Sequence, residues 1–209
     1  MNLCFENMRG GIDCDDVLFD FVGGLADFHN RFYGTNLKRS DFWTYHFNEV
    51  IGRPNEETDR RVDEFLDSPY LDDIAPLPGA VEGVRRLKDA GNRLYAVTSR
   101  HERLAQRTEA MLDKCYPGTF SEVKFSKNNY TSRGNQDALG KAEICYYLKV
   151  AFIIDDSSDY ATQCAKMFSD KIMMRNSRVL LMDSPWNRDF KLPGNAWRVG
   201  WDAIQRKAV

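Results

Sequence analysis

Three carboxylates stand within four positions of the chain, Asp13, Asp15 and Asp16, in the stretch Gly11-Ile12-Asp13-Cys14-Asp15-Asp16-Val17-Leu18-Phe19-Asp20-Phe21. Like charges this close repel and raise one another's pKa unless a cation or a ligand compensates them. Alternate residues of an extended segment point the same way, so Asp13 and Asp15 can converge on one ligand. A solvated acidic turn would read the same in isolation. Further along, Thr98-Ser99-Arg100 supplies two hydroxyls and a guanidinium, Lys141 an amine, and Asp155-Asp156 a second carboxylate pair. Each of these has a bland reading too: a pair of acids is usually a surface turn, and a lysine opening a helix is usually solvated. Only a common location would make them a site.

Their location follows from the elements around them. Met8, Gly10 and Ile12 suggest one face of a short strand ending at Asp13, poorly apolar and weakened by its glycines. From Pro76 onward the pattern is regular βα alternation. Val81, Val84 and Leu87 mark a helix closing at Gly91. Leu94-Tyr95-Ala96-Val97 is a buried strand stopping at Thr98-Ser99, and His101 to Cys115 a helix. Glu122 to Phe125 reads as a short strand, and Ser126 to Gly140, rich in Asn, Ser and Gly, as a loop. Lys141 to Leu148 is helical, Val150 to Ile154 is a buried strand ending on Asp155-Asp156, and Tyr160 to Phe168 is helical. Lys171–Met174 and Val179–Met182 read as late strands, and Met173, Met174 and Met182 as core filler. Apolar strands separated by amphipathic helices predict an α/β fold, a Rossmann-like parallel sheet with helices on both faces.

Between the first strand and Pro76 lies a different segment. It holds eleven of the chain's 26 aromatic residues. Phe21, Leu25, Phe28 and Phe32 follow a helical face, and a second helix is expected from Glu56 to Leu66. Most of these rings must be core, but their excess suggests that some line a pocket for a flat ligand.

In open α/β sheets the ligand sits outside the carboxyl ends of the strands. Asp13/Asp15, Thr98/Ser99 and Asp155/Asp156 each fall at such an end, and Lys141 can reach the same edge. The chemistry that needs this set is phosphoryl transfer through a covalent aspartyl phosphate. Asp13 is the expected nucleophile, Asp15 the acid/base and Thr98 a hydroxyl donor. Lys141 is the fixed cation, and Asp155 and Asp156 are carboxylates beside a hard cation, Mg²⁺.

With these motifs the chain resembles the haloacid dehalogenase superfamily of phosphohydrolases: Asp13-x-Asp15-x-Val17-Leu18, strand-terminal Thr98, Lys141, and Asp155-Asp156 stand in that family's order. The resemblance implies that the metal is held by Asp13, by the backbone carbonyl of Asp15 and by Asp156, with Asp155 behind them. Within the superfamily the chain looks closest to the 5'(3')-deoxyribonucleotidase group. The local matches are Asp20 to Gly24, Asp41-Phe42-Trp43-Thr44, Pro76 to Ala80, and Trp197 through Ile204. This likeness implies an α/β core of residues 1–18 and 76–209 and a helical cap of 19–75. It also implies a nucleoside monophosphate substrate, its base enclosed by Phe21, Phe42, Trp43 and Phe65, with Thr44, Ser99 and Arg100 close to the substrate. Two departures concern the substrate and not the reaction: Arg100 stands where the nucleotidases have proline, and Asp16 where glycine is common. Arg100 is expected either to read a second phosphate or carboxylate or to be solvated.

The remaining features bound the answer. A net charge of −2 gives no global signature for a nucleic-acid polymer or an anionic membrane. No apolar run approaches a membrane span, and residues 1–10 lack the pattern of a signal peptide. A cytoplasmic location is therefore expected, with the five scattered cysteines reduced. Rival readings are a catalytically idle binding or assembly subunit, a phosphatase of another small ester, and a metal-independent dehalogenase. A homodimer is left open.

Overall fold

The computed structural model describes residues 5–128 and 137–207 of the 209. Cys4 and part of the expected Ser126–Gly140 loop lie outside the described residues. Six parallel strands form one sheet: β1 Arg9–Ile12, β2 Arg93–Thr98, β3 Phe120–Phe125, β4 Phe152–Asp155, β5 Arg178–Met182 and β6 Ala196–Val199. Their order is β3-β2-β1-β4-β5-β6. The chain steps outward from β1 to β3, then returns to lay β4 on the other side of β1. That reversal leaves a crevice at the carboxyl ends of β1 and β4.

The weak appearance of β1 has a packing cause. Gly10 lies opposite Phe152 and Gly11 opposite Ile153. A Cβ on Gly10 would stand 2.2 Å from the Phe152 ring, and one on Gly11 would stand 2.7 Å from the Ile153 side chain. The central strand is bare because its neighbour is bulky.

Eight helices are described: α1 Phe21–Tyr33, α2 Phe47–Ile51, α3 Asn55–Asp67, α4 Ala80–Asp89, α5 Ala105–Cys115, α6 Lys141–Leu148, α7 Ser158–Asp170 and α8 Trp201–Lys207. Strand residues alternate between two buried clusters. Ala96, Ile154 and Leu180 face one cluster, with Leu25, Leu87, Met111 and Ile204 from α1, α4, α5 and α8. Val97, Ile153 and Val179 face the other, with Ile144 and Cys145 of α6 and Cys164 and Phe168 of α7. The sheet is therefore covered on both faces, as expected for a parallel sheet. No helix among the described residues is long and apolar enough to cross a membrane.

The differences from expectation are local. Ile172–Met174 is a 3-10 turn and not a strand; Ile172 and Met173 are exposed, and only Met174 is buried. Strand β6 and helix α2 were not expected. The helix anticipated from His101 begins as a 3-10 turn and becomes α-helical at Ala105.

Helices α1 to α3 occupy the segment between β1 and Pro76, ahead of α4 and β2. Asp20 accepts the Gly23 amide N–H at the start of α1, and Gly34 closes that helix in the left-handed conformation. Arg107 of α5 ties the segment to the core, donating to the carbonyls of Leu66 (2.6 Å) and Ser68 (2.5 Å) and pairing with Asp72 (2.9 Å).

Candidate active site

The Asp13 amide donates to the Ile154 carbonyl at 2.9 Å, carrying the β1–β4 pairing one residue past the strand and delivering the side chain into the crevice. The chain then turns sharply, with Asp16 at φ 56°, in the left-handed region. Glycine meets that demand without strain and Asp tolerates it, which accounts for the exchange between the two. Distant groups hold the turn. The Trp201 indole donates to the Val17 carbonyl (2.8 Å), and the Tyr116 hydroxyl to the Leu18 carbonyl (2.7 Å).

Each of the three clustered carboxylates meets its own cation. Lys141 Nζ stands 3.1 Å from Asp13 Oδ1. Arg100 grips Asp15 with Nε at 3.0 and 3.1 Å and Nη2 at 2.6 Å. Arg39 pairs with Asp16 and also with Asp20. Burial pushes the Asp16 carboxyl up to about 7, against the opposing pull of Arg39. Burial also drives Asp13 well above the usual carboxylate range; Lys141 opposes the shift and the neighbouring acids Asp155, Asp156 and Asp15 add to it. Burial alone would lower Lys141, but Asp13 and Asp155 outweigh it and hold the ammonium charged. Cys14, between the two acids, is a buried thiol pushed up to about 12 and therefore inert. Cys14, Cys115, Cys145 and Cys164 are all unpaired.

At the end of β4 both oxygens of Asp155 are engaged, one by Lys141 (2.6 Å) and one by the Ser157 amide (2.9 Å). Asp156 accepts hydrogen bonds from the Tyr45 hydroxyl and from the Trp186 indole (3.0 Å), while the Asn187 carboxamide holds its backbone carbonyl (2.7 Å). The Tyr45 and Trp186 rings lie 5.5 Å apart, and the Arg39 guanidinium lies 5.2 Å from the Trp186 ring centre. The insertion thus touches the core at the acid pair itself.

Asp13, Asp155 and Asp156 each offer an oxygen within 4.8 Å of the others. Asp13 Oδ1 is buried and lacks a hydrogen bond despite the nearby ammonium. Three carboxylates against one ammonium leave a formal deficit of two charges. Oxygen donors, an orphaned buried acceptor and that deficit all fit a hard divalent cation. The Asp15 carboxylate does not belong to this group. It is turned onto Arg100, which leaves only its backbone carbonyl for the role the resemblance assigns.

Above these residues opens a cavity of about 600 Å³. Asp13, Asp15, Phe21, Ser99, Arg100 and Asp156 border it. Thr98, Lys141 and Asp155 are fully buried and do not, and the Thr98 hydroxyl accepts the Arg100 amide N–H at 3.1 Å. Arg100 is neither solvated nor free for a second phosphate, since its guanidinium is buried on Asp15. The expected aromatic enclosure is placed differently. Phe42 and Phe65 are fully buried, Trp43 is 59% exposed, and none of these or Thr44 borders the cavity. Phe65 packs on Phe21 (5.4 Å) and Phe28 (5.6 Å), and Phe42 on Phe47 (5.6 Å). In their place Tyr45, Phe47 and Tyr160 join Phe21 at the cavity wall. A Phe65→Ala variant is therefore expected to lose about 3–5 kcal/mol of stability in urea unfolding, with little change in substrate KM. Native stability with a raised KM would return the ring to the substrate.

The comparisons with known proteins agree with this geometry. The family described as "5' nucleotidase, deoxy (Pyrimidine), cytosolic type C protein" matches residues 7–135, from β1 through β3. "Putative nucleotidase" of Oceanobacillus iheyensis is 24% identical over 192 residues, covering 88% of this chain and 91% of that one. Among solved structures, a haloacid dehalogenase-superfamily hydrolase of subfamily IA from Geobacter sulfurreducens superposes with a TM-score of 0.56 at 16% identity, over 99% of this chain and 97% of the other. A protein titled "putative phosphoglycolate phosphatase" from Lactobacillus delbrueckii subsp. bulgaricus gives a TM-score of 0.58 at 16% identity, over 97% and 98%. At such identities the likeness is one of fold. By the family match over more than half its length, the chain belongs to the 5' nucleotidase, deoxy (Pyrimidine), cytosolic type C family and is a phosphoric monoester hydrolase with a haloacid dehalogenase-like fold.

Proposed function

We propose that the protein is a Mg²⁺-dependent phosphomonoesterase that works through an aspartyl phosphate on Asp13 and acts on nucleoside 5'- or 3'-monophosphates. The convergence of Asp13, Lys141, Asp155 and Asp156 on one crevice is the observation that supports this most strongly. In the first step an Asp13 oxygen bonds to phosphorus as the ester P–O bond breaks, and Asp15 gives its proton to the leaving alkoxide. In the second, the Asp15 carboxylate takes a proton from water, the water oxygen bonds to phosphorus, and the bond to Asp13 breaks to release inorganic phosphate. Arg100 fixes the orientation of Asp15 with its two-pronged contact. Lys141, anchored on Asp155, holds Asp13 in place and offsets charge on the phosphoryl oxygens, toward which Ser99 contributes a hydroxyl, while Thr98, buried behind it, positions the Arg100 backbone. Asp13, Asp156 and the Asp15 carbonyl would hold Mg²⁺, which when bound neutralises the repulsion between nucleophile and phosphate.

Residues 19–75 serve in this reading as a cap over a core of 1–18 and 76–209, with Tyr45 as its contact on Asp156. Phe21, Tyr45 and Phe47 offer rings on which a base can stack, worth about 1–3 kcal/mol per base. The four cysteines among the described residues, which form no disulfide, and the family's cytosolic description support a reducing, cytoplasmic setting. The test is phosphate release from a panel of nucleoside, sugar and glycolate monophosphates with Mg²⁺ and with chelator. Release is expected to be fastest on nucleotides and abolished by chelation. Turnover confined to the other esters would overturn the substrate, and turnover indifferent to chelation would overturn the reaction.

A further inference from the structure

Of the acids gathered at the carboxyl ends of β1 and β4, Asp13 and Asp155 share Lys141, Asp15 has Arg100 and Asp16 has Arg39. Asp156 is the exception. It is only 3% exposed, yet it forms no ion pair among the described residues. Its side-chain hydrogen bonds come from neutral donors, the Tyr45 hydroxyl and the Trp186 indole, and both fall on Oδ2. Oδ1 accepts none from the described residues. A buried carboxylate with one bare oxygen calls for a positive charge from elsewhere. The same residue offers an oxygen within 4.8 Å of those of Asp13 and Asp155.

The two donors have different origins. Trp186 follows β5 of the core, next to Asn187, which holds the Asp156 carbonyl at 2.7 Å. Tyr45 belongs to the insertion, which docks a second time nearby: Arg39 reaches Asp16 and Asp20 and lies over the Trp186 ring, and Phe42, between Arg39 and Tyr45 in sequence, is fully buried. We propose that Tyr45 and Trp186 are positioning residues for the metal. By occupying Oδ2 they fix the carboxylate of Asp156 and leave Oδ1 for Mg²⁺, and because Tyr45 comes from the insertion, the metal site is complete only when the insertion is seated on the core. This rests on the Mg²⁺-dependent reading of the same site. Hydrogen bonds from outside the ligand set orient a ligand, and losing one costs about 10–100-fold in metal affinity. Such coupling is reciprocal: if the seated insertion favours the ion, the ion favours the seated insertion by the same factor. A bond that merely tethered the insertion to the core would leave the ion's affinity alone.

Tyr45→Phe isolates the hydroxyl, because the ring that packs 5.5 Å from Trp186 and borders the cavity is kept. Trp186→Phe removes the other donor. Mg²⁺ binding to the substrate-free wild type and variants is measured by calorimetry, hydrogen exchange of amides 39–47 is followed with Mg²⁺ and with chelator, and phosphate release is titrated with Mg²⁺. Each variant is expected to bind Mg²⁺ about tenfold or more weakly, to need correspondingly more of it for half-maximal release, and to keep the wild-type substrate KM once the metal is saturating. In the wild type Mg²⁺ should slow exchange over 39–47, and Tyr45→Phe should lose most of that slowing. A Tyr45→Phe protein that melts like the wild type and binds Mg²⁺ as tightly or more tightly would overturn the inference while leaving a metal-dependent phosphatase intact. Exchange indifferent to Mg²⁺ in the wild type would overturn the link to the insertion, and a raised substrate KM at saturating Mg²⁺ with unchanged metal affinity would move the hydroxyl to the substrate. A wild-type protein that binds no Mg²⁺ and turns over in chelator would overturn the metal reading, and the inference with it.

Discussion

Asp13→Asn is expected to reduce phosphate release by at least about 10⁴-fold, the order seen when the central group of a catalytic set is removed. The substitution keeps shape and volume, but a carboxamide nitrogen or oxygen is a poor nucleophile toward phosphorus. The loss should appear in kcat, with substrate binding largely preserved, because the rest of the cavity wall is untouched and the substituted side chain keeps its shape. The folded state should not suffer. Asp13 Oδ1 is buried without a hydrogen bond, and two further carboxylates stand within 4.8 Å. Removing one negative charge from that group relieves repulsion, while Lys141 keeps its 2.6 Å contact with Asp155. In metal-free buffer the variant is therefore expected to melt at or above the wild-type temperature. Mg²⁺ at a hundred times its dissociation constant stabilises a protein by about 2.7 kcal/mol, and this increment should shrink in the variant. Calorimetry with and without Mg²⁺ reads both effects beside the activity assay. Residual turnover within tenfold of wild type would remove Asp13 from the role of nucleophile. An undiminished Mg²⁺ increment would remove it from the metal site.

What could be read from the chain was governed by how local each signal is. The apolar runs ending at Thr98 and Asp155, and the position of Asp13 just beyond a strand, are local facts, and they place the acids on one edge once the sheet is parallel. The same apolar logic misreads Ile172-Met173-Met174, because hydrophobic residues in a short exposed turn carry the same letters as a strand. Strand β6 escapes notice because Trp197 and Arg198 interrupt its pattern at the sheet edge. In the insertion, spacing tells which aromatics share a helix face but not which face meets the core. Phe65 and Phe28 turn inward, and the residues presented to the cavity are Asp59, Asp63 and their neighbours. Tyr45 and Trp186 lie far from Asp156 in sequence, 111 and 30 positions away, so no motif could pair them with it. The partner of Arg100 was equally hidden: 85 positions separate it from Asp15. Those contacts exist because the paired strands β1 and β2, and β4 and β5, end on the same edge of the sheet, where the insertion also brings Tyr45.

Lys141→Met should both inactivate and destabilise the protein, and the two losses have one cause. The Lys141 side chain is fully buried, 2.6 Å from Asp155, 3.1 Å from Asp13 and 4.3 Å from the centre of the Tyr160 ring. A methionine fills nearly the same volume, so packing is preserved and only the charge is lost. Breaking a buried ion pair from one side leaves the remaining charge without compensation, at a cost of about 3–5 kcal/mol. Here three carboxylates would share the deficit, and Mg²⁺ should restore part of the loss by standing in for the ammonium. Chemical unfolding is therefore expected to show a large destabilisation in chelator that narrows in Mg²⁺, while phosphate release stays depressed by at least about 10²-fold because the phosphoryl oxygens lose a fixed cation. Lys141→Arg separates charge from shape: its planar fork cannot occupy a fully buried slot matched to an ammonium, so charge is kept but the geometry of Asp13 is not. It should recover stability more than turnover. If Lys141→Met were as stable as the wild type in chelator, the acids would not depend on this amine for their place in the interior, and the electrostatic logic of the site would have to rest on Arg100 and Arg39 alone.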